Sequence, residues 1–383
     1  MIDQDSQNLS PVCHDIPLVA REVACTWPAV VKWSPDFLEK SIQGALTFRM
    51  GRKHAYESHS QWESDANYVS ANVTDFLSWC NGNNSLSFKK FPWKDWWAYA
   101  AYLHMSNDPY LSALQKDVPW DSIFPILPNS NGSTFWLGTK QSHTGCHYDT
   151  YGINFVLQVF GKKRWTLFPP TDSPFLYPTR IPLEESTVFS HINFQCPNFL
   201  KYPLLLNSHP RVVVLQPGDI LFVPRHWWHF VETVDEDISC AVNLWIDQPH
   251  LDNVVRCKEA LTQLACFSLV KGAPETDAIF NRLHSAERAF AMSDNWFDYL
   301  VECISSNASS TSKRLKLHSS FSHFSGVSTL NWNALHSVDI VDILPDSNKL
   351  SLSSERPVVD LEKIIAAFLH PDVIDLVYSK IIE

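Results

Sequence analysis

The chain has 383 residues, 45% of them hydrophobic and 19% charged, enough apolar material for one large core with flanking elements or for two modest domains. Its formal net charge of −11 argues against general nucleic-acid binding, which would need a basic patch working against the field of the whole molecule. Met1 to Ser10 lack a secretory pattern, no apolar run approaches a membrane span, and the nine cysteines contain no C-x-x-C pair, so a reduced cytoplasmic protein is expected, with the nucleus as a second compartment.

Residues 1–23 read as an irregular N-terminus, and 24–132 as an α/β region packed on a core. Within it, Ala29 to Lys32 predicts a strand, Ser34-Pro35-Asp36 starts a helix, and a second strand follows before Gly51. Residues 64–116 read as mainly helical, with Trp93, Trp96 and Trp97 on an apolar face. From 133 to 247 the text changes to short β-branched and aromatic runs: Ile153 to Val159, Arg164 to Phe168, Val212 to Leu215, Asp219 to Val223 and Ser239 to Trp245. Gly161-Lys162-Lys163 has hairpin character, and Pro217-Gly218 suits a type II turn. Strands at this spacing predict an antiparallel sandwich or barrel.

Residues 248–304 read as a helical extension, with Val254, Cys257, Leu261 and Leu264 on one face and Gly272 as a stop. The Ser-rich stretch 305–328 predicts a flexible loop. In 329–383 two apolar stripes follow, Leu361, Ile364, Ile365 and Phe368, then Ile374, Val377, Tyr378 and Ile381. They must pack on their own domain or form a homodimer interface.

The chemistry concentrates around His147-Tyr148-Asp149. In an extended segment residues two apart share a face, so the imidazole and the carboxylate converge while Tyr148 points away. His229, in a strand alongside, completes two nitrogens and one carboxylate, the facial set that leaves iron positions open. His226 lies an odd number of residues from His229 and is read, with His143, as structural or at the rim. Trp227-Trp228 is read as core packing and Glu184-Glu185 as a solvated loop edge near the substrate path.

The ordered series Thr144 to Asp149, Asn154-Phe155, Gly161 to Trp165, Leu167 to Pro170, Leu176 to Pro178, Pro217-Gly218-Asp219, Val223 to His229 and Asn243-Leu244-Trp245 resembles the JmjC-only protein hydroxylases over residues 24–265. The resemblance implies a double-stranded β-helix with flanking helices, and Fe(II), 2-oxoglutarate and O2 as cofactor and cosubstrates. It implies that His147, Asp149 and His229 hold the metal and that Lys163 pairs with the distal carboxylate of 2-oxoglutarate. Thr144 then bonds the same carboxylate, Asn154 and Asn243 line the pocket, and Tyr102 adds a phenol. Thr144 is at odd parity from His147, so its role requires a break in the strand, which Gly145 would provide. Lys162 is the exposed neighbour of Lys163.

The reaction so implied is hydroxylation of a protein side chain. Lysine demethylation is the alternative within the same iron chemistry. Phe175 to Ile181 and Val223 to His229 resemble a branch of the family associated with small heat-shock proteins. Such a protein is therefore an expected partner beside a peptide substrate, and a non-catalytic binding protein is the alternative of another class.

Overall fold

The computed structural model describes residues 15–53, 61–63, 66–83, 85–123, 132–184, 186–234, 237–270, 332–340, 365 and 367–382. In chain order its elements are β1 (Leu18–Ala20), α1 (Pro28–Lys32), α2 (Pro35–Ser41), β2 (Leu46–Arg52), β3 (Asn67–Ala71), α3 (Val73–Cys80), β4 (Trp96–His104), β5 (Ser133–Thr139), β6 (His143–Asp149) and β7 (Ile153–Phe160). There follow β8 (Lys163–Phe168), β9 (Pro178–Thr179), β10 (Thr187–Ser190), β11 (Arg211–Leu215), β12 (Ile220–Val223), β13 (Trp228–Thr233), β14 (Ile238–Ile246), α4 (Pro249–Val270), β15 (Trp332–Ala334) and α5 (Pro371–Ile382).

The strands form two antiparallel sheets. The larger runs β15-β1-β12-β7-β14-β5-β4-β2-β3 and the smaller β11-β8-β13-β6-β10-β9. From β5 to β8, and again from β11 to β14, the chain passes between sheets, so the fold is a jelly-roll, double-stranded β-helix. Gly161 (φ +66°) makes one such passage, from β7 to β8, and a Cβ there would lie 2.5 Å from the Ile238 carbonyl oxygen. The expected hairpin is thus a corner between sheets, because β7 pairs with β12 and β14 while β8 pairs with β11 and β13. Gly218 (φ +89°) supplies the equivalent corner between β11 and β12.

Side-chain alternation divides the interior. On β7, Phe155 and Leu157 pack outward into the core shared with Trp27, Leu38, Phe48 and Phe76, while Val156 faces the space between the sheets with Trp165, Leu221 and Val231. Both faces of β7 are buried, which explains its nearly unbroken apolar run. Trp228 and Phe230 of β13 cover the outer side of the smaller sheet with Phe168 and Phe194.

Two N-terminal expectations fail. Residues 28–32 are helical, because Pro28 occupies the first turn, where its fixed φ suits a helix and its missing N–H costs nothing. Ser34 caps α2 as expected, its hydroxyl accepting from Phe37 N at 3.1 Å. Among the described residues of 64–116 the one α-helix is α3, between strands β3 and β4, with a 3-10 turn from Ser112; Trp96 and Trp97 lie in β4, where pairing with β2 and β5 overrides the helix preference of its alanines.

Helix α4 closes one side. Its Glu259 forms a buried ion pair with Arg180, whose Nη1 donates to the Thr187 carbonyl at 2.8 Å, so α4 clamps the segment that leads into β10. Cys257 and Leu261 are buried on the expected face, but Val254 is 37% exposed. Tyr378 of α5 packs on α4 with Cys257 and Leu261, and Lys258 pairs with Asp375 at 2.8 Å. Ile365 and Leu369 pack against Ile181 and Leu183. Ile374 and Tyr378 pack on the domain, as the first reading of the C-terminal stripes expected, whereas Phe368, Val373, Leu376, Val377 and Ile381 are exposed. Leu361, Ile364, the loop 305–328 and the helix stop at Gly272 lie outside the described residues.

Candidate metal centre and adjoining cavities

Strands β6 and β13 meet with His147 opposite His229 and Thr144 opposite Val231. Three steps along β6 match two along β13, so a bulge interrupts β6 at Gly145 and Cys146. This is the break that odd parity required, and it leaves Thr144 and His147 facing the same cavity. Tyr148 turns to the opposite side, where its ring meets Trp228.

His147, Asp149 and His229 bring one potential ligand atom each to within 4.8 Å of one another. The His147 and His229 ring centroids are 4.2 Å apart, and His147 Nε2 lies 3.8 Å from Asp149 Oδ1. His147 Nδ1 donates to the Gly145 carbonyl at 2.8 Å and His229 Nδ1 to the Trp227 carbonyl at 2.9 Å. These bonds fix both tautomers with the Nε2 lone pairs free, as a metal ligand needs. Burial, then the neighbouring His229, lowers the His147 pKa and keeps it neutral. Trp245 Nε1 donates to Asp149 Oδ2 at 3.1 Å, which orients the carboxylate and leaves Oδ1 on the imidazole side. Two neutral nitrogens and one anionic oxygen fit a divalent metal with open positions.

An inner cavity extends from this cluster between the sheets, and Thr144, Lys163, Asn154, Asn243 and Tyr102 all line it. Lys163 is 3% exposed, Lys162 is exposed, and no carboxylate pairs with Lys163 among the described residues. Burial pulls its pKa down to about 7. Its Nζ donates to the Tyr99 hydroxyl at 2.8 Å, and Thr144 also bonds Tyr99. Trp136 Nε1 donates to Asn243 Oδ1 at 2.7 Å, and Asn243 Nδ2 donates to Asn154 Oδ1 at 2.9 Å. The closed end thus offers an unneutralised cation, a phenol and a hydroxyl, a set suited to a carboxylate.

A second, outer chamber of about 340 Å3 opens beyond the cluster and shares Tyr102, His147 and Trp245 with the inner one. Asp149, Tyr151 and Glu184 also line it. Tyr102 reaches both cavities from a distorted part of β4, at φ +56°, and burial, followed by the charges of Glu63, Glu184 and Asp149, raises its pKa. Glu184 is not a solvated edge: it is 4% exposed and accepts from the Thr187 hydroxyl at 3.2 Å. Glu185 lies outside the described residues.

The two neighbouring histidines, His143 and His226, stay apart from the cluster. His143 is buried edge-on against Trp97, with its pKa pushed down to about 3 by burial and by Arg49. His226, at φ +62°, directs Nε2 to the Thr150 carbonyl at 2.7 Å. Trp227 and Trp228 are buried and line neither chamber, in keeping with core packing. The sequence reading missed Tyr99 and Trp136, and quoted Trp165 and Trp245 without a role. Period-two spacing from Asn243 places Trp245 on the cavity side, whereas Tyr99 was hidden in the stretch read as helical.

The fold and this cluster define a cupin-type β-barrel with a candidate mononuclear metal centre. The model of the family described as "Cupin-like domain" matches residues 7–252, and the chain belongs to this cupin-like, JmjC-type family. It is 40% identical over 259 residues to human "HSPB1-associated protein 1", covering 66% of this chain and 52% of that protein. The Danio rerio "HSPB1-associated protein 1 homolog" is 38% identical over 292 residues, covering 74% and 63%. Arabidopsis thaliana "Lysine-specific demethylase JMJ31" is 25% identical over 333 residues, covering 79% and 60%. The chain spans about half the length of the mammalian relatives it matches.

Proposed function

We propose that the protein is an Fe(II)- and 2-oxoglutarate-dependent oxygenase that hydroxylates a protein side chain. The observation that carries this reading is the pairing, in one cavity, of a two-histidine, one-carboxylate cluster with a buried lysine that lacks a carboxylate partner among the described residues. Family membership supports it, since JmjC proteins are generally oxygenases of this kind.

In this reading His147, Asp149 and His229 hold the iron, which when bound activates O2 at its open positions. Lys163, Tyr99 and Thr144 bind the distal carboxylate of 2-oxoglutarate, and the Asn154–Asn243–Trp136 chain shapes the pocket wall. The apolar surroundings, Val156, Trp165 and Val231, limit water in the inner cavity. The outer chamber receives the substrate side chain past Tyr102 and Trp245. Demethylation of lysine is the second reading, favoured by the name of the Arabidopsis relative.

By the names of its vertebrate relatives, association with a small heat-shock protein is also proposed. The exposed stripe of α5 is assigned to a homodimer. The seven described cysteines are free thiols, which suits the cytoplasm. No helix among the described residues is long and apolar enough to cross a membrane.

The test follows succinate release with Fe(II), O2 and 2-oxoglutarate in the wild type and His229→Ala, beside pull-down of a small heat-shock protein. Turnover lost and association retained in the variant is the expected result. A folded, iron-loaded wild type that releases no succinate would move the reading to a binding protein.

A further inference from the structure

Arg49 is a buried cation that the oxygenase reading does not use. It is 2% exposed on β2 and lines neither chamber. Its partners on the two neighbouring strands are Tyr68 of β3 and Tyr99 of β4. Residues directly opposite each other in paired strands project from the same face, so the three side chains form one row across the larger sheet. The row reaches the closed end of the inner cavity, because the Tyr99 hydroxyl carries Lys163 and Thr144.

Each member of the row holds the next. The Tyr68 hydroxyl donates to the Glu63 carbonyl at 2.9 Å, and the buried Glu63 carboxylate pairs with Arg49 Nη1 at 2.8 Å. The guanidinium lies 5.9 Å from the Tyr99 ring centroid and 5.3 Å from that of Trp97, within cation–π range of both. On the other side of Tyr99 stands its β5 partner Gly138, where a Cβ would lie 2.7 Å from Tyr99 Cδ2. The ring is therefore confined between the Gly138 backbone and the Arg49 guanidinium. Arg49 Nη2 also donates to the carbonyl of His143, the residue before Thr144. One guanidinium thus fixes both the ring and the stretch of β6 from which the two hydroxyls beside Lys163 arise.

An ion pair with both partners buried adds little net stability, because desolvation offsets the attraction. What a planar, forked cation supplies is direction. The charge of Arg49 is met by Glu63, so Lys163 remains the cation that faces the inner cavity.

We propose that Arg49, held by Glu63, is a positioning residue for the distal carboxylate of the cosubstrate: it fixes the Tyr99 ring, whose hydroxyl aims Lys163. The inference rests on the oxygenase reading and adds to it a residue outside the cavity. Because Arg49 lines neither chamber, it acts through Tyr99 and not by contact.

The test is calorimetric titration of 2-oxoglutarate into the full chain loaded with Fe(II) in the absence of O2, with iron retention read by elemental analysis. Arg49→Met combined with Glu63→Gln removes the pair without leaving either charge alone in the interior. This double change is expected to weaken 2-oxoglutarate binding about fivefold, the loss of roughly one hydrogen bond, with iron retention unchanged. Tyr99→Phe is expected to have a similar effect. Adding the double change to Tyr99→Phe should cost less than about twofold more, whereas independent effects would multiply to about 25-fold. Arg49→Lys keeps the ion pair but gives up the flat guanidinium, and its binding, expected to be about threefold weaker, carries the test if the double variant misfolds. Iron-loaded wild type that binds no 2-oxoglutarate would overturn the oxygenase reading and this inference together. Wild-type binding with unchanged affinity in the Arg49 variants, a full further loss in the Tyr99→Phe background, or a parallel loss of iron would overturn the inference alone.

Discussion

Lys163 Nζ and the Tyr99 hydroxyl meet at 2.8 Å at the closed end of the inner cavity, with Thr144 on the same phenol. The ammonium is thereby aimed before any ligand arrives. Lys163→Ala is expected to raise the apparent KM for 2-oxoglutarate about 10- to 100-fold, the range for losing a charged hydrogen bond, and Tyr99→Phe by less than about tenfold. Lys162→Ala should leave it unchanged. Equal effects of the two lysine changes, measured by succinate release, would place the strand in the wrong register.

The same lysine makes binding depend on pH. Its pKa falls from 10.5 to about 7 in the empty pocket, so above that pH the amine is largely neutral and must regain a proton to meet the carboxylate. Affinity for 2-oxoglutarate should weaken as pH rises above 7, and Lys163→Met should flatten the profile. For stability the sign is opposite. Between about 7 and 10.5 the unfolded chain holds more protons at this residue, so its contribution to ligand-free stability rises with pH across that window. Tm of the wild type against Lys163→Met checks this: the methionine variant should be the more stable at pH 6, with the gap narrowing by pH 9.

Metal affinity should separate ligands from the group that orients one of them. Asp149→Ala and His229→Ala are expected to abolish iron retention at one ion per chain. Trp245→Phe keeps an aromatic ring, though a smaller one, but loses the N–H to Asp149 Oδ2, and should weaken affinity about tenfold, as such supporting groups do elsewhere. Metal titration followed by elemental analysis measures both, and unchanged affinity in Trp245→Phe would reduce its role to packing.

Gly161 tests the corner between sheets. Gly161→Ala adds a methyl 2.5 Å from the Ile238 carbonyl oxygen at a positive φ, so it should cost about 1–3 kcal/mol, read from chemical denaturation. A neutral outcome would mean that the corner opens freely.

The exposed face of α5 bears on assembly. Leu376→Glu places a charge on the stripe without touching the buried Ile374 and Tyr378, so it should convert a dimer of 43.8 kDa chains to monomer while leaving Tm nearly unchanged. Sedimentation of wild type as monomer would remove the interface.

Much of the barrel was legible because strands β7, β8, β11, β12 and β14 are β-branched or aromatic runs, and period two alone aligned His147 with Asp149. The bulge was legible too, since Thr144 and His147 could face one cavity only if the strand broke between them. The corner at Gly161 was not, because Gly-Lys-Lys has the same local chemistry in a hairpin as between sheets. What decides is the pairing of β7 and β8 with strands more than 40 residues away, which no local pattern encodes. Strand β4 escaped for a similar reason: its alanines favour helix, and only the edges of β2 and β5 make it extended, taking Tyr99 with it. In α1, one proline outweighed two valines.

The bulge in β6 also bears on how far the spacing of the motif can vary. Removing one residue at Gly145 would leave Thr144 two positions from His147, and ordinary alternation would still aim both side chains into the same cavity. Selection for the site therefore does not fix the interval between the threonine and the histidine at three. Chains with an interval of two could retain both groups at the expense of the local bend, and a search built on the fixed interval would pass them over.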